Sequence, residues 1–525
     1  MNKLASKNHA HMNTRTIFSW ALMPLVGIAG KCFGNPVNEK HPNIILFLVD
    51  DMGWQDTSEP FWDSITPLNK IYHTPNMERL ARQGVKFTNA NACPVSSPSR
   101  VSLMTGANVA QHQVSNWTLN KDKPTDSPNK LLSFQKWNYN GISPTPGDKN
   151  AFYAKCLPQI LSENGYLTCI VGKAHFGALN TPAENPLAIG FDLNIAGHAA
   201  GAMGSYLGEE NYGNKTKGGY TPPWGVPDLE AYHGTDIFLT EALTREASKL
   251  IDTALAGQKP FFLYMSHYAV HAPFAADKRY YQKYIDKGMT PTEARYATLL
   301  EGMDKSLGDL MDLVEKRGIA DNTIIIFMSD NGGYSVGRGG EAAQRNYPLR
   351  GGKGACYEGG IREPMIVYWP GITQANTVNA TPVIIEDFYP SILEMAGIKK
   401  YKTPQHIDGI SFVKNLKKGK GDLDRPLYFH YPNNWGERLE DVGIPQSAIK
   451  KGRWKLVHNY EDGKNQLYDL QTDISEKHDL AGQAEYQKIT VTLAKELSDF
   501  LRKNNANLPV WKSNGKPCAY PDGKE

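Results

Sequence analysis

The amino-acid sequence predicts an α/β fold: a large mixed, mostly parallel sheet sandwiched by helices, then a smaller C-terminal antiparallel sheet with one helix. Three observations lead there. Wholly apolar runs alternate with helix-length amphipathic segments, the pattern of βα units packed on both faces of a sheet. At 525 residues the chain exceeds one ordinary compact core, so a large α/β domain and a smaller one are expected. Near Arg425-Pro426 the pattern changes to short strands separated by turns.

Ile44 to Val49, Pro260 to Met265 and Thr323 to Met328 are continuous apolar runs, which read as strands buried on both faces. Met365 to Tyr368 is a fourth candidate. Helices are expected over Asn76 to Gln83, Cys156 to Asn164, Leu239 to Leu255 and Pro291 to Lys316. Two segments, Asn108 to Asn150 and Gly197 to Tyr232, are polar or Gly/Tyr-rich and lack apolar periodicity. They read as long structured excursions near a functional site. Leu427 to Tyr431, Ser447 to Ile449, Trp454 to Val457 and Gln466 to Leu470 predict the antiparallel sheet, with Asp462-Gly463 as one turn. Ile489 to Lys503 predicts its helix, with Leu493, Leu497, Phe500 and Leu501 on one face. The expected boundaries are residues 1–34, 35–425 and 426–525.

Residues 1–34 read as a signal peptide. Lys3, Lys7 and Arg15 precede the apolar run Ile17 to Ala29, which has the length of a signal core rather than of a membrane span. Met12 offers an alternative start, and Cys32-Phe33-Gly34 before Asn35 fits a cleavage site; Lys31 directly before Cys32 argues against a lipoprotein. A secreted, periplasmic or cell-surface protein with no transmembrane anchor after cleavage is expected. The formal charge is +3, and removing Lys3, Lys7, Arg15 and Lys31 leaves about −1, so nothing points to nucleic acid. With 40% apolar and 21% charged residues the chain reads as globular rather than disordered. Its 26 Tyr and 10 Trp suit sugar binding and suit ordinary cores equally. Five cysteines follow the signal, with no zinc-type spacing; Cys156 and Cys169 are the closest pair, as a bridge or as two thiols.

Two acidic segments follow predicted strands. Asp50-Asp51 comes after the first run, and Asp330-Asn331 after Thr323 to Met328. Ligands in parallel sheets bind beyond the carboxyl ends of strands, so these oxygen donors can converge on one hard cation, calcium or magnesium. Each pair alone is equally a turn or helix cap. Ser96-Ser97-Pro98-Ser99-Arg100 opens a predicted helix, with Pro98 in its first turn. A helix N-terminus and the fork of Arg100 both favour an anion there, while Ser-Ser-Pro-Ser by itself also reads as a capping run.

The segment from Ser96 to Gly106 resembles the sulfatase signature, Cys/Ser-x-Pro-Ser-Arg-x-x-Leu-x-Thr-Gly, at every fixed position, with the reacting residue on Ser96 and not on Cys93. Further segments are similar to the same family in the same order: Asp50 to Gly53, Gly172 to Gly177, His267 to Pro273, Ser329 to Gly333, Leu349 to Gly354 and Tyr357 to Pro364. The resemblance runs from about His41 to Gly482 and implies an alkaline phosphatase-like catalytic domain over 35–425. It implies that Ser96 is oxidised to formylglycine (3-oxoalanine), whose hydrate attacks sulfur and gives a sulfated-enzyme intermediate. Asp50, Asp51, Ser96, Asp330 and Asn331 would hold calcium, or magnesium. Arg100, Lys173 and Lys353 would stabilise the sulfuryl oxygens, His271 would protonate the departing alcohol, and His175 would take the proton from the second diol hydroxyl. A serine-type site implies maturation by an oxygen-independent radical enzyme, and so an anaerobic or facultative bacterial source.

The likeness to bacterial polysaccharide sulfatases implies a sulfated carbohydrate substrate, with a lean to galactose or N-acetylgalactosamine sulfate. Candidate substrate residues are His267, Arg338, Glu341, Arg345, His430, Asn433 and Trp435, the last three from the C-terminal subdomain. Two other readings remain at this level: a phosphohydrolase of the same superfamily, whose metals take several His ligands, and a non-catalytic glycan-binding relative.

Overall fold

In the computed structural model, which describes residues 41–334, 345–435 and 441–524, Asn43–Val49 (β1) lies in the middle of a nine-stranded mixed sheet. The other strands are β2 (Val85–Asn91), β3 (Leu167–Gly172), β4 (Leu193–Ile195), β5 (Phe261–Ser266), β6 (Thr323–Ser329), β7 (Arg362–Tyr368), β8 (Thr377–Asn379) and β9 (Val383–Ile384). The order is β8-β2-β7-β6-β1-β5-β3-β4, with β9 also paired to β2. From β6 to β4 all neighbours run parallel. β7 is antiparallel to both β6 and β2, which makes the sheet mixed.

The continuous apolar character of β1 follows from burial on both faces. Ile45, Phe47 and Val49 enter one core, and Ile44, Leu46 and Leu48 the other. The first core is covered by α1 (Pro75–Gln83) and by the long helices Leu239–Ala256 and Pro291–Lys316. The second is covered by α2 (Ser96–Thr105), α3 (Leu157–Glu163) and Phe388–Met395. Numbering on, Leu239–Ala256 is α4, Pro291–Lys316 is α5 and Phe388–Met395 is α6.

The C-terminal sheet consists of β10 (Leu427–Tyr431), β11 (Gln446–Lys451), β12 (Trp454–Asn459) and β13 (Lys464–Asp469), all antiparallel and in sequence order. Period-two alternation splits its faces. Phe429, Ala448 and Val457 pack on Ala355, Tyr357 and Ile361 beside the large sheet, while Ile449, Leu456 and Leu467 pack on Leu493, Leu497 and Leu501 of α7 (Gln487–Lys503).

The expected signal peptide at 1–34 and the candidates Arg338 and Glu341 lie outside the described residues. No described helix is long and apolar enough to cross a membrane. Cys156 and Cys169 are free thiols, because Cys156 enters the core on one face of the sheet and Cys169 the core on the other.

Candidate active site

Strand polarity assembles the site. β1, β3, β5 and β6 run parallel, so their carboxyl ends deliver Asp50-Asp51, Lys173, His267 to His271 and Asp330-Asn331 to one edge of the sheet. Gly332 is required there: a Cβ on it would overlap the Gly359 carbonyl. Asp51 and His175 have left-handed backbones, φ 62° and 56°, uncommon for non-glycine residues.

Ser96 opens α2, and none of the nearby serines caps it. The N-cap is Val95, without a side-chain bond, and the Ser99 hydroxyl bonds to Cys93 instead. Ser96 Oγ donates within reach of Asn331 Oδ1 (3.0 Å) and Asp50 Oδ1 (3.2 Å). Asn331 Nδ2 donates to Asp51 Oδ1 at 2.8 Å. Oxygens of Asp50, Asp51 and Asp330 lie within 4.8 Å of one another, all buried.

Each carboxylate has its own cation. Lys173 Nζ is 2.7 Å from Asp50 Oδ2, Lys353 Nζ is 2.6 Å from Asp51 Oδ1, and Arg100 Nη2 is 2.8 Å from Asp330 Oδ2. Three buried carboxylates therefore face three buried cations. Adding a divalent cation leaves a surplus of positive charge matched to an anionic ester. Among the described residues the cluster offers carboxylate and amide oxygens and no thiol, a donor set suited to calcium or magnesium rather than to zinc.

The electrostatics follow from burial and from these pairs. Burial pushes the Asp51 carboxyl up, but Lys353 and then His271 outweigh it and hold Asp51 below the usual carboxylate range. Burial pulls Lys173 down to about 8, against the opposing pull of Asp50. For Lys353, burial is outweighed by Asp51, Asp50 and Asp330, and its pKa rises. Both histidines are held toward the neutral form, His175 by burial and then Lys173, His271 by burial and then Lys353. His175 Nε2 lies 3.0 Å from the Thr118 carbonyl, which only accepts, so that nitrogen carries the proton and Nδ1 is left as the base. His271 Nδ1 likewise faces the Ala272 carbonyl, leaving Nε2 3.7 Å from Asp51 Oδ2.

A cavity of about 570 Å³ opens above this floor. Asp51, Ser96, Lys173, His175, His271 and Lys353 reach it. Arg100 does not: its guanidinium is committed to Asp330, to Ser266 Oγ (2.6 Å) and to the Lys173 carbonyl (3.0 Å). Of the candidate substrate residues, Trp435 lines the cavity, with Lys353 Nζ 5.4 Å from its ring centroid. His267 is instead a core residue, packed at a tilt against the Phe47 ring and bonded to Ser306 Oγ at 2.9 Å, and burial pushes its pKa down to about 3. Arg345 lies behind the cavity wall, its guanidinium 4.8 Å from the Phe274 ring and paired with Glu293 at 3.0 Å. His430 bonds to Ser447 and to the Asn507 carbonyl, and Asn433 to Asp126; neither lines the cavity. His430 lies within β10 and His267 directly follows β5, and a polar side chain at such a position carries no sequence mark that separates a pocket lining from a buried network.

The aromatic walls, Trp117, Trp224, Phe274 and Tyr334, are not among the sequence candidates. The usable signal was regional. Trp117 belongs to the excursion Asn108 to Asn150, and Gly201, Met203 and Trp224 to the excursion Gly197 to Tyr232.

Residues 42–398 match the family model described as Sulfatase, and residues 352–503 match N-sulphoglucosamine sulphohydrolase, C-terminal. A sulfatase of Formosa agariphila is 31% identical and is covered over 96% of both chains. N-acetylgalactosamine-6-sulfatase of Mus musculus is 30% identical over 80% of this chain and 74% of its own. Among solved structures, Ps i-CgsB is 29% identical with TM-score 0.68, covering 88% of this chain and 93% of that one; its complex with k-i-k-neocarrahexaose has TM-score 0.67. A match over most of the chain, joined to a buried carboxylate cluster built around Ser96, makes this chain a member of the sulfatase family and a sulfuric ester hydrolase.

Proposed function

We propose that the protein is an exported bacterial enzyme that removes sulfate from a carbohydrate, with Ser96, as formylglycine, as the reacting residue. The observation that carries this reading is the position of Ser96 Oγ, between Asp50 and Asn331 at the floor of an aromatic-walled cavity. Aromatic walls fit the apolar faces of a sugar ring. The relatives act as further support: one is named for N-acetylgalactosamine 6-sulfate, and one neighbour binds k-i-k-neocarrahexaose. They favour a galactose or N-acetylgalactosamine sulfate. Trp435 in the cavity wall supports a contribution of the 426–525 subdomain to the pocket.

Asp50, Asp51, Asp330, Asn331 and residue 96 would hold calcium, which supplies charge neutralisation of the ester and polarisation of the reacting oxygen. Residue 96, once converted to formylglycine by a serine-type radical maturase, would supply a hydrated aldehyde oxygen as nucleophile. Lys173 and Lys353 reach the cavity and neutralise the sulfuryl oxygens as charge develops on them. Arg100 works one layer below, holding Asp330 in place. His271 delivers a proton from Nε2 to the departing alcohol; burial and then Lys353 hold it toward the neutral form, and the negative charge of an anionic ester beside it favours its protonation. His175 receives a proton on Nδ1, its orientation fixed by the Thr118 carbonyl.

The test is release of inorganic sulfate and of inorganic phosphate from matched sugar monoesters by protein co-produced with a serine-type maturase. The reading predicts sulfate release from one or more galactose or N-acetylgalactosamine sulfates, far above phosphate release. Fast aryl sulfate hydrolysis with no turnover of any sulfated sugar overturns the carbohydrate assignment.

A further inference from the structure

We propose that Arg295 forms a second anion subsite in this cavity, which reads a negatively charged group on the sugar next to the one that loses sulfate. The inference rests on the carbohydrate reading above and narrows the substrate to a polyanionic oligosaccharide. Among the described residues, every cation at the cavity floor is already bonded to a carboxylate: Lys173 to Asp50, Lys353 to Asp51, and Arg100 beneath them to Asp330. Arg295 lines the same cavity with an exposed side chain and pairs with no carboxylate among the described residues. The acid nearest in sequence, Glu293, is taken by Arg345 at 3.0 Å, and Glu301 accepts from Tyr284 at 2.8 Å and from Lys283. Among the described residues this guanidinium is therefore surplus positive charge in the lining of the cavity.

Two further features point the same way. Thr292 also lines the cavity, in the first turn of the 26-residue helix α5, where the backbone N–H groups lack intrahelical acceptors and the helix dipole is positive. Phe274, the neighbouring wall, is held from behind by Arg345 and by an edge contact with Tyr296 at 5.3 Å, so it presents a fixed face for a sugar ring. A monosulfated neutral sugar spends its only charge at the floor and has no use for a free guanidinium beside this ring. An oligosaccharide with a second sulfate or a carboxylate on the adjoining residue does, because a guanidinium fork matches either anion.

The experiment compares kcat/KM of the mature full-length enzyme on three oligosaccharides: one with the reacting sulfate alone, one with a second sulfate on the adjoining sugar, and one with a carboxylate there. The wild type is expected to favour one doubly charged substrate by about tenfold, chiefly through KM, with the preference shrinking as salt rises. Arg295→Met is expected to bring that ratio close to one, and Arg295→Lys to keep part of it. Which arm is favoured identifies the second group as sulfate or carboxylate. No preference in the wild type, or a ratio unmoved in Arg295→Met, overturns the subsite while leaving the carbohydrate reading intact. Sulfate release from none of the three overturns both.

Discussion

Lys353 Nζ lies 2.6 Å from Asp51 Oδ1, and both side chains are almost wholly buried. The pair serves two ends, and Lys353→Met separates them. Loss of a charge aimed at the developing sulfuryl oxygens is expected to lower kcat/KM by about 100- to 1000-fold. Loss of Asp51's partner leaves a buried carboxylate uncompensated, a defect of roughly 3–5 kcal/mol. Urea unfolding with chelator is expected to show that loss in full, and unfolding with calcium a smaller one, because the cation then takes over the neutralisation of Asp51.

Chelation tests the oxygen cluster directly. With EDTA the enzyme is expected to lose activity and recover it with calcium. The far-ultraviolet circular dichroism should persist, because Asp50, Asp51 and Asp330 each keep a cationic partner. The Tm is expected to rise with calcium concentration, as for any ligand that binds only the folded state. Full activity after exhaustive chelation contradicts the cluster's assignment.

Gly201 packs flat against His175, and a Cβ at that position would overlap the imidazole ring. Gly201→Ala is therefore expected to displace His175 and lower kcat by about 100-fold, the scale of a misplaced proton-transfer group, while Tm changes little. A variant of unchanged kcat would remove His175 from the proton transfer.

Glu386 is buried, one carboxylate oxygen accepting from Asn108 Nδ2 at 2.8 Å and the other without a partner. Burial, and then Asp387, pushes its pKa up to about 8, against 4.5 for an ordinary glutamate. A carboxyl whose folded pKa is raised binds its proton more tightly in the folded state. Its contribution to stability is complete below about pH 4.5 and is lost as pH rises through about 8. Glu386→Gln removes this titration, so the variant should gain stability relative to wild type between pH 5 and pH 8.5, read by denaturant unfolding at each pH. Parallel pH–stability curves for the two proteins contradict this.

The sequence was most legible where a physical constraint leaves a local trace. Strands buried on both faces show as unbroken apolar runs, which is why β1, β5 and β6 were found nearly residue for residue. β2, with the sequence VKFTNAN, carries polar residues between Val85 and Phe87 and beyond, and gave no such run. Short β4 and the antiparallel course of β7 are decisions of the tertiary fold that no local pattern records. In the site, the residues within ordered motifs converge: Asp50, Asp51, Ser96, Lys173, His175, His271, Asp330, Asn331 and Lys353. Arg100 also converges, but beneath the cavity rather than in it. The substrate candidates, named for side-chain type whether inside a motif, as His267 is, or outside one, fared differently. His267 and His430 satisfy buried hydrogen bonds, and Trp435 reaches the cavity. The tertiary fold, and not residue type, decides which polar side chain reaches the cavity.

Ser96 lies between Asp50 and Asn331, the position proposed here for the reacting residue in modified form. The most direct measurement is the mass of the peptide containing Ser96, taken from protein that releases sulfate. Conversion to formylglycine removes two hydrogens, and this lighter peptide is expected to be present in proportion to activity. Fully active protein in which the peptide carries only unmodified serine would contradict it.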